Sequence, residues 1–123
     1  MTTEELLQKC RKKDRTAWDE FAKRYRHLVA KSVGYKIKTL KTPSSRNEIA
    51  DIIQDIFLAI WEKDKLDEVK DPATLESWLA IMSINMASNH FKKRSLRHFQ
   101  DAVSIEKTLT IENRRTTLGE VLT

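Results

Sequence analysis

LESWLAIMSINMASNHFKKRSLRH, residues 75–98, runs from an apolar, aromatic start into a wholly basic end, and its spacing decides the fold. Trp78, Met82, Asn85, Asn89 and Lys92 follow one another at steps of 4, 3, 4 and 3, so a helix aligns an indole, two amides and an ammonium in one row. Leu75, Leu79 and Met86, with several of Ile81, Ile84, Ala87 and Phe91, cover enough of the remaining surface that a second face is expected to be buried. One edge is then left free. Lys92, Lys93, Arg94 and Arg97 put four cations and no acid into KKRSLRH, the pattern of a helix end that meets phosphate. An ordinary amphipathic helix with a solvated basic end has the same spacing, so the stretch by itself leaves both readings open.

The rest of the composition agrees with a helical chain. With 40 % hydrophobic and 33 % charged residues and only two Gly and two Pro in 123, breakers are few and helix formers many, which points to one all-α domain with a modest core. The formal charge of +5 suits an anionic partner, although excess surface Lys is common on helical proteins and does not establish one. Cys10 is the only cysteine, which excludes an internal disulfide and argues against a cysteine metal site. The first residues, MTTEELLQKCRKK, carry their acids first and are unlike a signal peptide, and no apolar run approaches the roughly 18 residues of a membrane span. A soluble cytoplasmic protein is expected.

Thr2 with Glu5 fits a capping box for a short first helix, roughly residues 3–12, with Leu6, Leu7 and Cys10 as its stripe. Asp14 is placed to cap a second helix. Its Trp18, Phe21, Ala22, Tyr25, Leu28 and Val29 recur at helical spacing and are expected to form a core face rather than a base-stacking surface, with Gly34 near the helix end. Residues 36–46, KIKTLKTPSSR, lose periodicity and read as a basic loop. Asn47 is then expected to cap a third helix, with Ile49, Ile52, Ile53, Ile56, Phe57 and Ile60 on one side and Trp61 beside them in the core. Asp51, Gln54, Asp55, Leu58 and Glu62 fall on the opposite side. Two Asp and a Glu beside an exposed leucine, with no Lys or Arg before Lys63, is the face of a helix that docks a basic protein surface. On charge alone, a row that balances nearby lysines reads the same way.

Residues 63–74, KDKLDEVKDPAT, form a polar connection in which Asp71 and Pro72 can start the next helix, leading straight to Trp78. After His98 the periodicity weakens, and residues 99–123 read as a linker or tail with one short turn near Leu118. Parts for catalysis are missing: there is no Gly-rich phosphate loop, no G-x-S-x-G elbow, and His27, His90 and His98 are dispersed. Asp51 and Asp55 make a carboxylate pair at i and i+4 but lack the second carboxylate helix and histidines of a di-metal bundle. Neither enzyme, metal nor cofactor is expected.

Two linked segments carry a family resemblance. NEIADIIQDIFLAIWEK resembles the D-[LI]-[VI]-Q-[ED]-x-F-L-x-[LI]-W motif in region 2 of bacterial RNA polymerase sigma factors of the sigma-70 family, extracytoplasmic-function (ECF) group, through Asp51 to Asp55, Phe57, Leu58, Ile60 and Trp61. The later segment resembles the family's F-x-x-W-L-x-x-I-A-x-N-x-x-x-[DN]-x-[LF]-[RK]-[RK] through Trp78, Leu79, Asn85, Asn89, Phe91, Lys92 and Lys93, and DRTAWDEFAKRYRHLV is similar to its preceding helix. The likeness covers about residues 3–98. It departs at Leu75, where the family has an aromatic, and at Ile81 and Ile84, where it often has basic residues.

The resemblance implies a compact three- to four-helix bundle over residues 1–98, of the sigma region 2 type, with 99–123 as the linker before a missing region 4 domain that would read the −35 element. It implies a transcription initiation factor that binds the β′ clamp helices of core RNA polymerase through Asp51, Gln54 and Asp55, with Leu58 in the same row. It further implies recognition and melting of the promoter −10 element, on the single-stranded non-template strand, by the loop before Trp78 and by Trp78, Asn85, Asn89, Lys92, Lys93, Arg94 and Arg97. An anti-sigma factor is a further partner of such proteins. A stand-alone helical DNA-binding module would use the basic end without the acidic row, and a polymerase-binding adaptor of the anti-sigma kind would use the row without the basic end.

Overall fold

Side-chain caps start the helices where short polar residues precede apolar stripes. In the computed structural model, which describes the backbone of residues 1–113 and the side chains of residues 1–104, the order is α1 (Thr3–Arg11), α2 (Arg15–Leu40), α3 (Arg46–Glu62), two 3₁₀ turns (Lys65–Glu68 and Pro72–Thr74) and α4 (Leu75–Asn113). Thr2 Oγ1 accepts from the Glu5 amide at 3.2 Å, and Asp14 Oδ1 accepts from Thr16 and Ala17 at 3.0 and 3.2 Å, satisfying amides that have no partner inside the helix. Four α-helices and no strand lie among the described residues. The architecture is all-α, as the spacing predicts.

Two boundaries differ from the sequence reading. The loop expected over 36–46 is helical as far as Leu40 and helical again from Arg46, so only Lys41 to Ser45 connect α2 to α3. Lost apolar periodicity marks the end of packing, not of the backbone ladder, and nothing in YKIKTL breaks that ladder. The helix stops at Lys41, which takes the left-handed conformation (φ 52°); its amide donates to the Lys38 carbonyl at 3.2 Å and the Thr42 amide to the Ile37 carbonyl at 3.4 Å. Ser45, not Asn47, is the cap of α3: its Oγ accepts from the Glu48 amide at 3.1 Å.

The chain divides into two compact units, the first Met1–Ser88 and the second beginning at Asn89. In the first, α1 packs on α2 and α2 on α3, while the turn at Lys65–Glu68 packs on α1 and α3 and the turn at Pro72–Thr74 on α1. Its core is built from Leu6 and Leu7 of α1, Phe21, Val29 and Val33 of α2, and Ile52, Ile56 and Ile60 of α3, all at most 2 % exposed. Leu75, Leu79, Ser83 and Ala87, at steps of four along α4, are fully buried, and the Ser83 hydroxyl is satisfied by the Leu79 carbonyl at 2.7 Å. The expected aromatic face of α2 is present. Trp18 stacks on Phe21 (5.2 Å between centroids, 15° between planes) and meets Trp61 at 4.9 Å, while Phe57 stands edge-on to both Trp18 and Phe21. Phe57 and Trp61 are half-buried, at the rim of this cluster rather than in its centre.

In the second unit the helix continues to Asn113, through the first part of the expected linker. Residues 99–113 contain no Gly or Pro, so the backbone has no reason to leave the helix when the apolar stripe fades. Phe91 is 4 % exposed, with the His90 ring edge-on at 5.1 Å and the Arg94 guanidinium 4.8 Å over its face. The expected turn near Leu118 lies outside the described residues. No helix among the described residues is long and apolar enough to cross a membrane.

Gly34 lies within α2 rather than at its end, with negative φ, and a Cβ built there meets nothing within 4 Å. Neither conformation nor packing requires glycine here. Gly34→Ala is therefore expected to stabilise the fold by about 0.5–1 kcal/mol, by removing unfolded-state entropy. A urea titration showing Gly34→Ala less stable than wild type would contradict this.

Candidate functional site

The acidic row stands out from α3 as its periodicity requires. Asp51, Gln54, Asp55, Leu58 and Glu62 are all exposed, Leu58 to 48 %, while Ile52, Ile53, Ile56 and Ile60 are buried on the other side. No described cation lies within ion-pair distance of Asp51 or Asp55, and neither takes part in the ion pairs of Arg11, Lys13, Arg24 and Lys65. Direct ion pairing with neighbouring lysines therefore does not account for the row. Beside it runs a shallow groove between α2 and α3, lined by Ala22, Lys23, Arg26, Ala50, Ile53, Gln54 and Phe57. The surface thus offers carboxylates, an amide and an apolar side chain together, the donor and acceptor mix of a protein-docking face.

In α4 of the first unit, Trp78 and Met82 are half-buried and Asn85 is exposed. The indole of Trp78 is oriented, not loose: Nε1 donates to Glu68 Oε2 at 3.2 Å, and Lys65 Nζ lies 3.5 Å from Glu68 Oε1. Ile81 is 59 % exposed. In the second unit Asn89, Lys92, Lys93 and Arg97 are exposed and Arg94 is half-buried over Phe91. The exposed cations can each take a phosphate oxygen, and the amides can both donate to and accept from a base edge.

The connection before Trp78 is held by α1, which sequence reasoning missed. Arg11 donates to the Leu66 carbonyl through both Nε and Nη2, at 3.3 and 3.1 Å, and also to the Val69 carbonyl, with Asp67 Oδ1 3.9 Å away. Lys13 bonds the Trp61 carbonyl, lies 4.6 Å over the Trp61 ring and pairs with Asp64 at 2.7 Å. Both Lys13 (φ 63°) and Asp64 (φ 49°) are left-handed, so two tight turns face each other across this contact. Leu66 and Val69, 4 % and 2 % exposed, anchor the segment from below. Two apolar residues three apart in a polar loop were the available sign. Nothing in the sequence separates Arg11 from Lys9 or Lys12.

Arg11→Ala should cost about 1.5–3 kcal/mol, since buried carbonyls lose a charged donor. Hydrogen exchange should quicken first at the amides of residues 66–70. Protection unchanged there would show that Leu66 and Val69 hold the loop without the arginine.

Cys10 is 3 % exposed, and burial, reinforced by the negative charge of Asp14, pushes its thiol up to about 11. It stays protonated at neutral pH and is a core residue, not a nucleophile. No group of three or more His, Cys, Asp or Glu able to hold a metal ion lies among the described residues. Set against protein-family models, curated proteins and solved structures, the chain finds no match.

Proposed function

We propose that this chain is a region 2 domain of an ECF-group sigma factor, acting in the bacterial cytoplasm as a transcription initiation factor. It binds the β′ clamp helices of core RNA polymerase through Asp51, Gln54, Asp55 and Leu58, and it holds the −10 element of promoter DNA as a melted non-template strand. The observation that carries this reading is the exposed acidic row of α3, without an internal ion pair, in a chain of formal charge +5. That row coincides with the D-I-I-Q-D-I-F-L-A-I-W segment through which the resemblance was drawn. An anti-sigma factor would compete for these surfaces.

The work done on DNA is physical and has no covalent step. Unstacking a base costs a few kcal/mol, so a base that leaves the duplex must be caught and its strand held. Trp78, steadied by Glu68, supplies an apolar face; Asn85 supplies a donor and an acceptor; Asn89, Lys92, Lys93, Arg94 and Arg97 serve the backbone. The loop through residues 67–74, pinned by Arg11, shapes the approach to Trp78.

The test is binding of the whole chain to core polymerase, followed by capture of labelled −10 strands by the assembled complex. No association with core polymerase would overturn the proposal. In the complex, Asn85→Ala is expected to lose about 1–3 kcal/mol of discrimination between −10 sequences, whereas Lys92→Ala and Lys93→Ala weaken all sequences alike and reduce the salt dependence. If Asn85→Ala discriminates as well as wild type, the residue does not read a base.

A further inference from the structure

The second half of α2 carries a surface that the reading of α3 and α4 does not use. Between Phe21 and Asn47 the chain has eight Lys and Arg and no Asp or Glu, which leaves the remainder of the sequence net negative. At 100° per residue, Lys31 and Lys38 lie within about 60° of Tyr35 on α2. All three are exposed, Tyr35 to 62 %, and no described acid lies within ion-pair distance of either lysine. Val29 and Val33, about 120° and 160° around the helix from Tyr35, are fully buried, so this is the outward face of the helix. Gly34, exposed and without a packing neighbour, flanks the lysines, about 40° from Lys38 and about 60° from Lys31 around the helix.

Fold stability does not explain this arrangement. Lys38 and Lys41 suit the negative end of the α2 dipole, but Lys31 lies more than a turn before that end, and Arg46 begins α3, where the dipole disfavours a cation. A solvated tyrosine gains little from burial, and a mid-helix glycine that neither turns the chain nor relieves a clash weakens the helix. Each feature has a use toward one ligand. A phenol ring flanked by two ammonium groups offers a stacking platform with phosphate contacts on the same side, and the bare backbone at Gly34 lets a strand approach closely.

We propose that Lys31, Gly34, Tyr35 and Lys38, extended by Lys41 and Arg46, form a second binding surface for single-stranded nucleic acid. One base stacks on Tyr35 and the flanking phosphates meet the lysines. The site does not depend on polymerase binding or on α4, so it can fail while the sigma reading stands, and the reverse.

The experiment is an amide NMR titration of the full chain with dodecamers of thymidylate and of uridylate. Shifts concentrated on residues 31–46 are expected, with affinity falling about fivefold or more in Tyr35→Ala but retained in Tyr35→Phe, because the π-face does the stacking. Lys31→Ala and Lys38→Ala should each lower the salt slope by about 0.7. The ratio of the two dodecamer affinities identifies DNA or RNA as the strand. Shifts confined to residues 89–98, or a Tyr35→Ala affinity equal to wild type, overturn the proposal. So does an equal or stronger response of residues 31–46 to polyglutamate or to phosphatidylserine vesicles, which would assign the surface to an acidic protein or a membrane.

Discussion

Phe21→Ala should remove about 3–5 kcal/mol of stability, enough to lower the melting temperature by roughly 10–20 °C in a domain of this size. Phe21 is fully buried, and its ring is stacked on Trp18, 5.1 Å from Tyr25 and edge-on to Phe57 at 6.2 Å. Removing it leaves a cavity where α2 meets α3, and the neighbouring rings are too stiff to fill it. Phe57→Ala and Trp61→Ala should each cost less, although both belong to the same cluster. Trp61 is only half-buried, and part of its ring carries the Lys13 ammonium rather than core. Urea denaturation of the three variants checks the order. A Trp61→Ala protein less stable than Phe21→Ala would place the centre of the core on the wrong ring.

The second large effect concerns binding. Asp51→Ala with Asp55→Ala should weaken association with a β′ clamp-helix fragment by on the order of 2 kcal/mol, about thirtyfold in Kd, because cations on the partner lose their acceptors at a desolvated face. Stability should not fall with it. Asp51 and Asp55 are like charges at i and i+4 on an exposed face, and removing such a pair relieves a few tenths of a kcal/mol. Calorimetric titration gives the affinity and thermal melting the stability. Unchanged affinity in a folded double variant would remove these two residues from the interface, and with them the main support for the sigma reading.

How far the sequence carried depended on what each residue type signals. The Ile52, Ile53, Ile56 and Ile60 face of α3 was legible because burial repeats with the helix period, and its opposite, acidic face was legible for the same reason. Asp14 and Asp71 were legible as caps because a short acceptor before a helix has few other uses. Residues 36–40 and 99–113 were misread for one cause: an apolar stripe reports what a helix packs against, and a helix can extend beyond its packing partner.

The order of residues is enough to show that this protein is all-α, where its core stripes lie, and that an acidic row and a basic helix end are separate features. Local spacing suffices for those, since they follow from residues three and four apart. Folding in three dimensions is what brings Arg11 and Lys13 to hold the connection before Trp78, lets Glu68 orient the indole, and leaves Asp51 and Asp55 with no described cation in pairing distance. These contacts join residues far apart in the chain, Arg11 to Leu66 and Lys13 to Trp61, and a guanidinium or ammonium has the same local signature whether it meets a carbonyl or water.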